Sequence, residues 1–451
     1  MHFEGIARHR AAGLWFVAVI VFYFTTAWVG GPASNWHGQT PEYYALLTDA
    51  FLAGQTSLLV QPPAELLALP NPYDPIRNAE FRLQDASLYH GKYYLYFGPT
   101  PALVLFLPFK VVTGSHLPSR IAVVLFCAGG FACSCGLFFL LAKLEKWDIP
   151  AWFASAVVIT LGTAPGIVFL LAHTSFYEVA IAAGYCFAMA GFLLAAHSLG
   201  QHRPRVWSLA GAGLCFGLAV GCRPNYAPFA ILMMVLVTLG IRPPKMLAVA
   251  YVGPVVVCGV LLSVYNYTRF QNPFEFGLRY QLFAKPSDPA DLVNRLNHSL
   301  ANLLPCIYTL VFSPPSEWLC WFHRSMGVLW GAPTALLGLC APFVLRYGGV
   351  KGAVKQGSTR FTIYGMYVCA LSILVVLALL GYAVGRYTVD FAPELVLLSW
   401  CLLAARWQGL DQLAKAWVVP FRLGVVSIAL YSVVLGISMS VLLLHYNVLC
   451  R

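Results

Sequence analysis

The sequence has little charge. Only 10% of its 451 residues are Asp, Glu, Lys or Arg, whereas 59% are hydrophobic and the mean hydropathy is +0.73. Charged residues make up about a quarter of an average globular protein, so this composition excludes an ordinary soluble chain. Apolar runs long enough to cross a hydrocarbon core of about 30 Å recur along the sequence. We therefore expect an all-α polytopic membrane protein.

The sequence also lacks the usual motifs of metal and redox sites. It contains no Cys-x-x-Cys and no His-Glu-x-x-His, and its 13 cysteines fall mostly inside apolar runs, where they pack as small hydrophobic side chains. The 11 histidines form no pair with metal-ligand spacing. No cofactor is predicted, and a divalent metal is not supported by ligand spacing.

The apolar runs predict about eleven transmembrane helices. They cover residues 11–30, 119–142, 150–172, 176–198, 206–222, 225–241, 246–266, 325–346, 361–383, 387–404 and 421–445. The run 101–112 is short for a crossing and follows Gly98 and Pro99, which favours a re-entrant or interfacial helix.

The distribution of basic residues predicts the orientation. With these spans, the loops on the side of the N-terminus carry 15 basic and 4 acidic residues, whereas the other face carries 13 of each. Basic residues in short loops mark the cytoplasmic side, so the N-terminus is predicted inside and the first span uncleaved, in a bacterial inner or plasma membrane. Much of the net charge of +11 is then an orientation signal, and no nucleic-acid partner is expected.

We expect a single membrane-embedded domain, 1–451, with two long loops on the outer face. The first, residues 31–118, would carry juxtamembrane and re-entrant helices, and the second covers residues 267–324. Both are rich in Tyr, Trp, Phe and Pro and lack the composition of disordered segments. They are therefore predicted to be ordered and to cover the outer ends of the helices.

Two acids stand out at the outer face. Asp49 lies in "YYALLTDAFLAG", on a predicted juxtamembrane helix where Glu42, Leu46 and Asp49 share one face. A solvated helix face is the simpler explanation of this acid. Glu178, in "FYEVAIAAGY", enters the membrane in the first turn of a span, where capping of the helix N-terminus is a real alternative to catalysis.

Further polar residues fall at the same outer ends. They are Asp85, Lys92, Arg223, Arg279, Arg386 and Tyr387. Snorkelling explains any single arginine at such a junction, and aromatic belts explain many of the tyrosines. Several arginines on one face together with acids suggest an anionic headgroup or phosphate held by fork-shaped donors, beside a carboxylate that handles a proton.

The order of these motifs resembles the GT-C glycosyltransferases, the class that includes protein O-mannosyltransferases and lipid A aminoarabinose transferase. The resemblance rests on "YYALLTDAFLAG", then "GPTPALVLFLPF", then "FYEVAI" and finally "GRYTVDFAPEL". It extends over most of the chain. The adjacent acidic pair that is frequent in the family is absent, since Thr48 and Ala50 flank Asp49. The large soluble C-terminal domain of some members is also not seen.

The resemblance implies a sugar transferase with its active site at the outer surface. Its donor would be linked to a polyprenyl phosphate, and its acceptor would be a membrane lipid, a glycan or a protein. Asp49 and Glu178 would take the places of the family's first-loop and second-loop acids. Asp49 would be the base, because a positioned carboxylate can take the proton of an acceptor hydroxyl. Lys92, Arg223, Arg279 and Arg386, with Tyr387 and Asp85, would contact the lipid phosphate or the substrate.

Other functions stay open at this point. A transporter or flippase would keep ionisable residues near the middle of the bilayer, whereas the charges here cluster at the outer ends of the spans. A polysaccharide polymerase or an acyltransferase would also be embedded in the membrane. A non-catalytic scaffold would not need polar groups converging on one face.

Overall fold

A computed structural model describes residues 2–30, 34–35, 38–39, 42–163, 165–237, 245–282, 292–314, 327–347, 354, 356–381, 385–408 and 418–449. The long helices are α1 (His2–Gly30), α5 (Ser119–Glu145), α6 (Ala151–Thr163), α8 (Phe176–Leu199), α9 (Val206–Cys222), α11 (Lys245–Phe270), α12 (Leu292–Val311), α16 (Gly357–Leu379), α17 (Ala392–Gln408) and α18 (Val418–Leu449). The shorter helices are α2 (Tyr43–Leu52), α3 (Ala64–Leu67), α4 (Leu107–Thr113), α7 (Pro165–Ala172), α10 (Ala227–Val235), α13 (Val328–Gly331), α14 (Ala335–Leu339) and α15 (Ala341–Tyr347). Two antiparallel hairpins pair β1 (Ser34–Asn35) with β2 (Gly38–Gln39), and β3 (Ser87–Tyr89) with β4 (Lys92–Tyr94).

The predicted all-α membrane class is confirmed. Six helices in the described ranges are long and apolar enough to cross a membrane: Arg10–Val29, Ser119–Glu145, Phe176–Leu199, Lys245–Phe270, Gly357–Leu379 and Val418–Ser438. Helices α6 and α7 add a seventh span if they count as one. Four shorter apolar helices accompany them, so the predicted count of eleven is not confirmed.

The spans deviate from the prediction where proline interrupts the apolar run. The predicted span 150–172 consists of α6 and α7, bent by 49°, with Pro165 at the start of α7. The predicted span 325–346 is broken into α13, α14 and α15. Pro333 and Pro342 stand at these breaks, because proline lacks an amide hydrogen and disfavours helical geometry in the residue before it.

The helices pack in a connected series. Helix α5 lies against α8, α8 against α9, and α9 against α11, while α1 lies against α6 and α18 against both α6 and α7. Glycines let two of these helices approach closely: a Cβ added at Gly213 of α9 would overlap the backbone of Tyr251 in α11. These contacts hold α5, α8 and α9 side by side, and Tyr177, Glu178 and Arg223 stand at the ends of α8 and α9.

The segment predicted as the first outer loop is built from short, well-terminated elements. Helix α2 ends at Leu52 and is followed by Gly54, whose φ of +74° favours a residue without a side chain. A π-helical turn, Ala102–Phe106, runs into α4, which ends at Gly114 with a φ of +72°. The apolar helix Ala102–Thr113 is too short to cross a bilayer core of about 30 Å, and its re-entrant position stays a prediction.

The two segments predicted as outer loops are joined by backbone pairing. The amide of Asp85 donates to Leu282 at 3.1 Å, and the amide of Leu282 donates to Ala86 at 2.9 Å. The hydroxyl of Ser87 donates to the carbonyl of Gly277 at 2.8 Å. The first loop is thus ordered against residues 277–282, whereas residues 283–291 and 315–326 of the second predicted loop lie outside the described residues.

Candidate functional site

Arg223 directly follows α9 and lies against the first predicted loop. The two segments approach closely here, since a Cβ added at Gly98 would overlap the carbonyl oxygen of Gly221. The guanidinium of Arg223 lies 5.9 Å from the ring centre of Phe97 and 4.7 Å from that of Tyr387. Its Nη2 is 3.1 Å from Oδ2 of Asp390, so a buried ion pair fixes one side of the group.

Arg386 reaches the same place from the 3₁₀ turn Gly385–Asp390. Its guanidinium lies 5.5 Å from the ring centre of Tyr387, the ring that also contacts Arg223. The ring centre of Tyr177 is 4.4 Å away, and Nη1 lies 3.5 Å from Oε1 of Glu178. Two arginines from distant parts of the chain therefore lie against one tyrosine.

Glu178 is only 1% exposed and caps its own helix. It sits three residues after the N-cap Ser175 and forms a capping box with it: the amide of Ser175 donates to Oε2 at 3.1 Å, and the Ser175 hydroxyl donates to the same oxygen. His173 Nδ1 lies 3.9 Å from this oxygen. Both carboxylate oxygens therefore have partners.

Asp85 is buried beside the same group. Its φ of +65° lies in the left-handed region, which Asp tolerates better than most residues, and its carboxylate accepts a hydrogen bond from the Tyr177 hydroxyl. Gln84 Nε2 donates to the other oxygen at 3.1 Å. Burial raises the pKa of Asp85 above its ordinary value, although these hydrogen bonds and the charge of Arg386 act in the opposite direction.

Tyr96 belongs to this neighbourhood as well. Burial raises the pKa of its hydroxyl most, and the nearby Tyr177 and Tyr387 raise it further. Asp85 acts in the same direction, whereas Arg386 lowers the pKa. Four predicted residues, Asp85, Arg223, Arg386 and Tyr387, are thus brought together around aromatic rings.

We call Arg223, Arg386, Tyr177 and Tyr387 the arginine cluster. Arg223 is 6% exposed, and its Nε and Nη1 are buried without a hydrogen-bond partner in the described part of the chain. A buried donor without a partner costs about 1–3 kcal/mol, and more when it is charged. Such donors are suited to bind an anionic ligand in two-pronged geometry.

Asp49 lies in a second cluster, formed with Lys110 and His116. Lys110 Nζ donates to Oδ1 of Asp49, and His116 Nε2 lies 3.0 Å from both carboxylate oxygens. Burial acts to raise the pKa of Asp49, but the hydrogen bonds from Lys110 and His116 outweigh it, so the pKa is below its usual value. Asp49 is therefore ionised at neutral pH and open to solvent on one side.

Helix α2 connects the two clusters. Tyr43 donates to the carbonyl of Gln84 at 2.5 Å, and its ring centre is 4.6 Å from that of Phe176, the neighbour of Tyr177. Asp49 follows six residues later, about 9 Å along the helix axis. Ser119, the first residue of α5, donates to Glu42, whereas Lys110 of α4 and His116 contact Asp49.

Two predicted binding residues are placed elsewhere. Lys92 is exposed on the β3–β4 hairpin. Arg279 is 43% exposed in its side chain, and its Nε lies 3.9 Å from Oε2 of Glu275. Neither contributes to the arginine cluster in the described structure.

Sequence reasoning missed several residues of these sites. Lys110 and His116 lie 61 and 67 positions from Asp49, and no local pattern points to such pairs. Asp390 and Asn225, which donates to Asp390 Oδ2 at 3.0 Å, were also missed, although Asp390 stands in "GRYTVDFAPEL" and Asn225 two residues after Arg223. The capping box could have been recognised from the sequence, because Ser175 stands three residues before Glu178.

No group of three or more His, Cys, Asp or Glu side chains that could hold a metal ion occurs among the residues that the structure describes.

Comparison with known proteins gives likeness of structure only, since no protein-family model and no curated protein sequence matches the chain. The oligosaccharyltransferase of Archaeoglobus fulgidus in the apo form is similar at a TM-score of 0.51 and 14% identity, over 94% of this chain and 56% of that one. The same protein tethered to an acceptor peptide gives a TM-score of 0.50 at 16% identity, over 94% and 55%. The chain has a GT-C fold.

ArnT of Cupriavidus metallidurans, bound to undecaprenyl phosphate, is also similar, with a TM-score of 0.48 and 15% identity over 96% of this chain and 77% of that one. The chain spans about 56% of the archaeal enzyme that it matches, so the shared region is the GT-C fold rather than the whole of that protein. The predicted resemblance is confirmed at the level of fold.

Proposed function

We propose that this protein transfers a sugar from a polyprenyl-phosphate-linked donor to an acceptor hydroxyl at the membrane surface. The observation that carries the proposal is the pair of buried Arg223 N–H groups without a partner in the described residues, beside a second buried arginine. The GT-C fold supports it, because sugar-transfer enzymes share this fold. The reported partners of the similar proteins, undecaprenyl phosphate and an acceptor peptide, are of the corresponding kinds.

The arginine cluster would hold the donor phosphate. As the bond between the sugar C1 and the phosphate oxygen breaks, negative charge increases on the departing lipid phosphate. Preorganised cationic donors in a site of low dielectric stabilise that charge better than water does. Asp390 and Glu178 keep the two guanidinium groups in place, and Tyr387 separates them.

Asp49 would accept the proton of the acceptor hydroxyl as its oxygen bonds to the sugar C1. The products are then the glycosylated acceptor, polyprenyl phosphate and a protonated Asp49, which returns its proton to water. Its lowered pKa makes Asp49 a weak base, and Lys110 and His116 would hold it ionised and oriented. Asp49 would therefore orient the acceptor as well as accept its proton.

The proposal is tested with the purified full chain in lipid nanodiscs and radiolabelled polyprenyl-phosphate sugars, with lipid, glycan and peptide acceptors. We expect acceptor-dependent release of polyprenyl phosphate. Arg223→Gln should slow it by about tenfold or more, since a hydrogen bond to a charged group is worth about 1.5–3 kcal/mol. Arg77→Gln, a change at an exposed first-loop arginine, is the control. In sealed proteoliposomes, movement of intact donor across the bilayer without release would instead indicate a flippase.

A further inference from the structure

A small cavity lies outside both clusters, at the junction of α1, α2 and α5. Its volume is 260 Å³, and it is lined by Trp28, Glu42, Pro118, Arg120, Ile121 and Thr174. This is slightly below the range of about 300–1,000 Å³ for sites of drug-sized ligands. It fits a small polar group.

The cavity is flanked by one positive and one negative side chain that do not pair with each other. Glu42 and Arg120 form no salt bridge within 4.0 Å, although both are described residues that line the same space. Ser119 donates to Oε2 of Glu42, and the guanidinium of Arg120 lies 5.2 Å from the ring centre of Trp28. Complementary charges are therefore held apart across a space.

A buried hydroxyl makes a second, independent observation. Thr174 is 4% exposed, and its Oγ1 has no hydrogen-bond partner in the described structure. Buried polar groups in proteins are nearly always hydrogen-bonded, so an orphaned hydroxyl in the wall of a cavity indicates a ligand or water. It can donate to a phosphate oxygen or accept from an ammonium group.

The position of the cavity along the candidate spans indicates that its ligand comes from the membrane. Trp28 stands in the last turn of one candidate span, and Arg120 in the first turn of another. Tryptophan is enriched at the level of the lipid headgroups, and arginine is the preferred partner of phosphate. The cavity therefore opens where the headgroups of a bilayer lie.

We propose that this cavity binds a zwitterionic group made of a phosphate and a primary ammonium, the headgroup chemistry of phosphatidylethanolamine. Arg120 and Thr174 bind the phosphate, and Glu42 accepts hydrogen bonds from the ammonium. A quaternary ammonium has no N–H to donate, and an uncharged glycerol headgroup leaves the carboxylate without its counter-charge. The site therefore discriminates among lipids by the second charge rather than by the phosphate.

The test uses native mass spectrometry of the full chain released from nanodiscs that contain equal amounts of phosphatidylethanolamine, phosphatidylglycerol and phosphatidylcholine. We expect preferential retention of phosphatidylethanolamine. Arg120→Gln and Glu42→Gln should each lower that retention about tenfold, whereas Arg77→Gln should not. Thr174→Val keeps the shape of the side chain and should lower the retention of phosphatidylethanolamine less. This variant shows whether a folded protein loses the lipid when only the hydroxyl is removed.

Equal retention of phosphatidylethanolamine and phosphatidylglycerol would overturn the proposal, as would retention unaffected by both charge changes. A parallel arm adds soluble O-phosphoethanolamine. Failure of this compound to displace the lipid supports a membrane source, and full displacement would assign the site to a free zwitterion. Sugar transfer plays no part in these readouts, so they stand apart from the proposed reaction.

Discussion

Arg386 Nη1 lies 3.5 Å from Oε1 of Glu178, a contact that joins positions 208 residues apart. The other carboxylate oxygen is held by Ser175. With both oxygens occupied and the side chain 1% exposed, Glu178 is suited to hold Arg386 rather than to accept a proton. The sequence left open whether Glu178 caps its helix or belongs to the site. In the structure the same side chain caps α8 and contacts Arg386 of the arginine cluster.

Glu178→Gln and Ser175→Ala separate these two tasks. Ser175→Ala removes the cap alone and should lower the free energy of unfolding by about 1 kcal/mol. Glu178→Gln keeps a neutral capping group but removes the charge opposite Arg386, so it should also raise the KM for the donor. Thermal unfolding and donor titration measure the two effects. Equal loss of stability with unchanged donor kinetics would leave Glu178 a cap only.

Arg386 should be sensitive to shape as well as to charge. Arg386→Lys keeps the positive charge but loses the planar fork, so donor use should fall by about tenfold, and Arg386→Ala should reduce it by a hundredfold or so. The measurement is kcat/KM for the lipid-linked donor, with Arg77→Lys as the matched control. If both variants keep normal kcat/KM, Arg386 is only a membrane anchor.

Asp49→Asn keeps size and hydrogen bonding but cannot accept a proton. If Asp49 is the base, the rate should fall by about 10²–10⁴-fold while the protein stays folded. Glu80→Gln, at an exposed first-loop acid, should have no effect. Near-normal transfer by Asp49→Asn would remove Asp49 from the chemistry.

The raised pKa of Asp85 predicts the sign of a pH effect on stability. Since the folded pKa is above the unfolded value, the native state binds more protons, and stability falls as pH rises from the unfolded pKa to the folded one. Asp85→Asn abolishes that titration. Unfolding of both proteins, followed from about pH 4 to pH 7, should show the wild type losing stability relative to the variant. The opposite slope would mean that the hydrogen bond from Tyr177 outweighs burial.

The orientation is tested by labelling single cysteines in a cysteine-depleted chain. Glu80 in the first loop and His202 between α8 and α9 are both exposed. In intact cells, an impermeant maleimide should label Glu80→Cys but not His202→Cys, because the basic loops predict that the first loop is outside. Labelling at His202→Cys alone would invert the orientation.

The sequence predicts the long helices well, but it predicts poorly which side chains of different helices and loops contact each other. The runs at 119–142 and 176–198 correspond closely to α5 and α8, because an apolar stretch of that length has to satisfy its backbone hydrogen bonds within a helix. The prediction of one continuous span at 325–346 was wrong, because a hydropathy pattern does not show that prolines such as Pro333 and Pro342 interrupt a helix.

In the candidate site, too, the sequence indicates single residues but not their contacts. Glu178 and Arg386 are recognisable separately, since each is a charge at the outer end of a span, and the fold brings them together. Lys110 is different: it stands in an apolar helix where snorkelling explains it, and only the tertiary structure carries it to Asp49. Arg279 lies instead outside the cluster, where its half-exposed side chain has Nε 3.9 Å from Oε2 of Glu275, one turn away.

The pairing of the two outer loops has a consequence for biosynthesis. Asp85 and Gln281 contact each other across 196 positions, and Arg269 donates to the carbonyl of Leu95 across 174. At a synthesis rate of about 5–20 residues per second, the first loop waits roughly 10–40 s for its partner. During that interval Asp85 and its neighbours lack their native cover. A ribosome stalled before residue 269 should therefore leave the first loop open to protease, and release of the stall should restore protection.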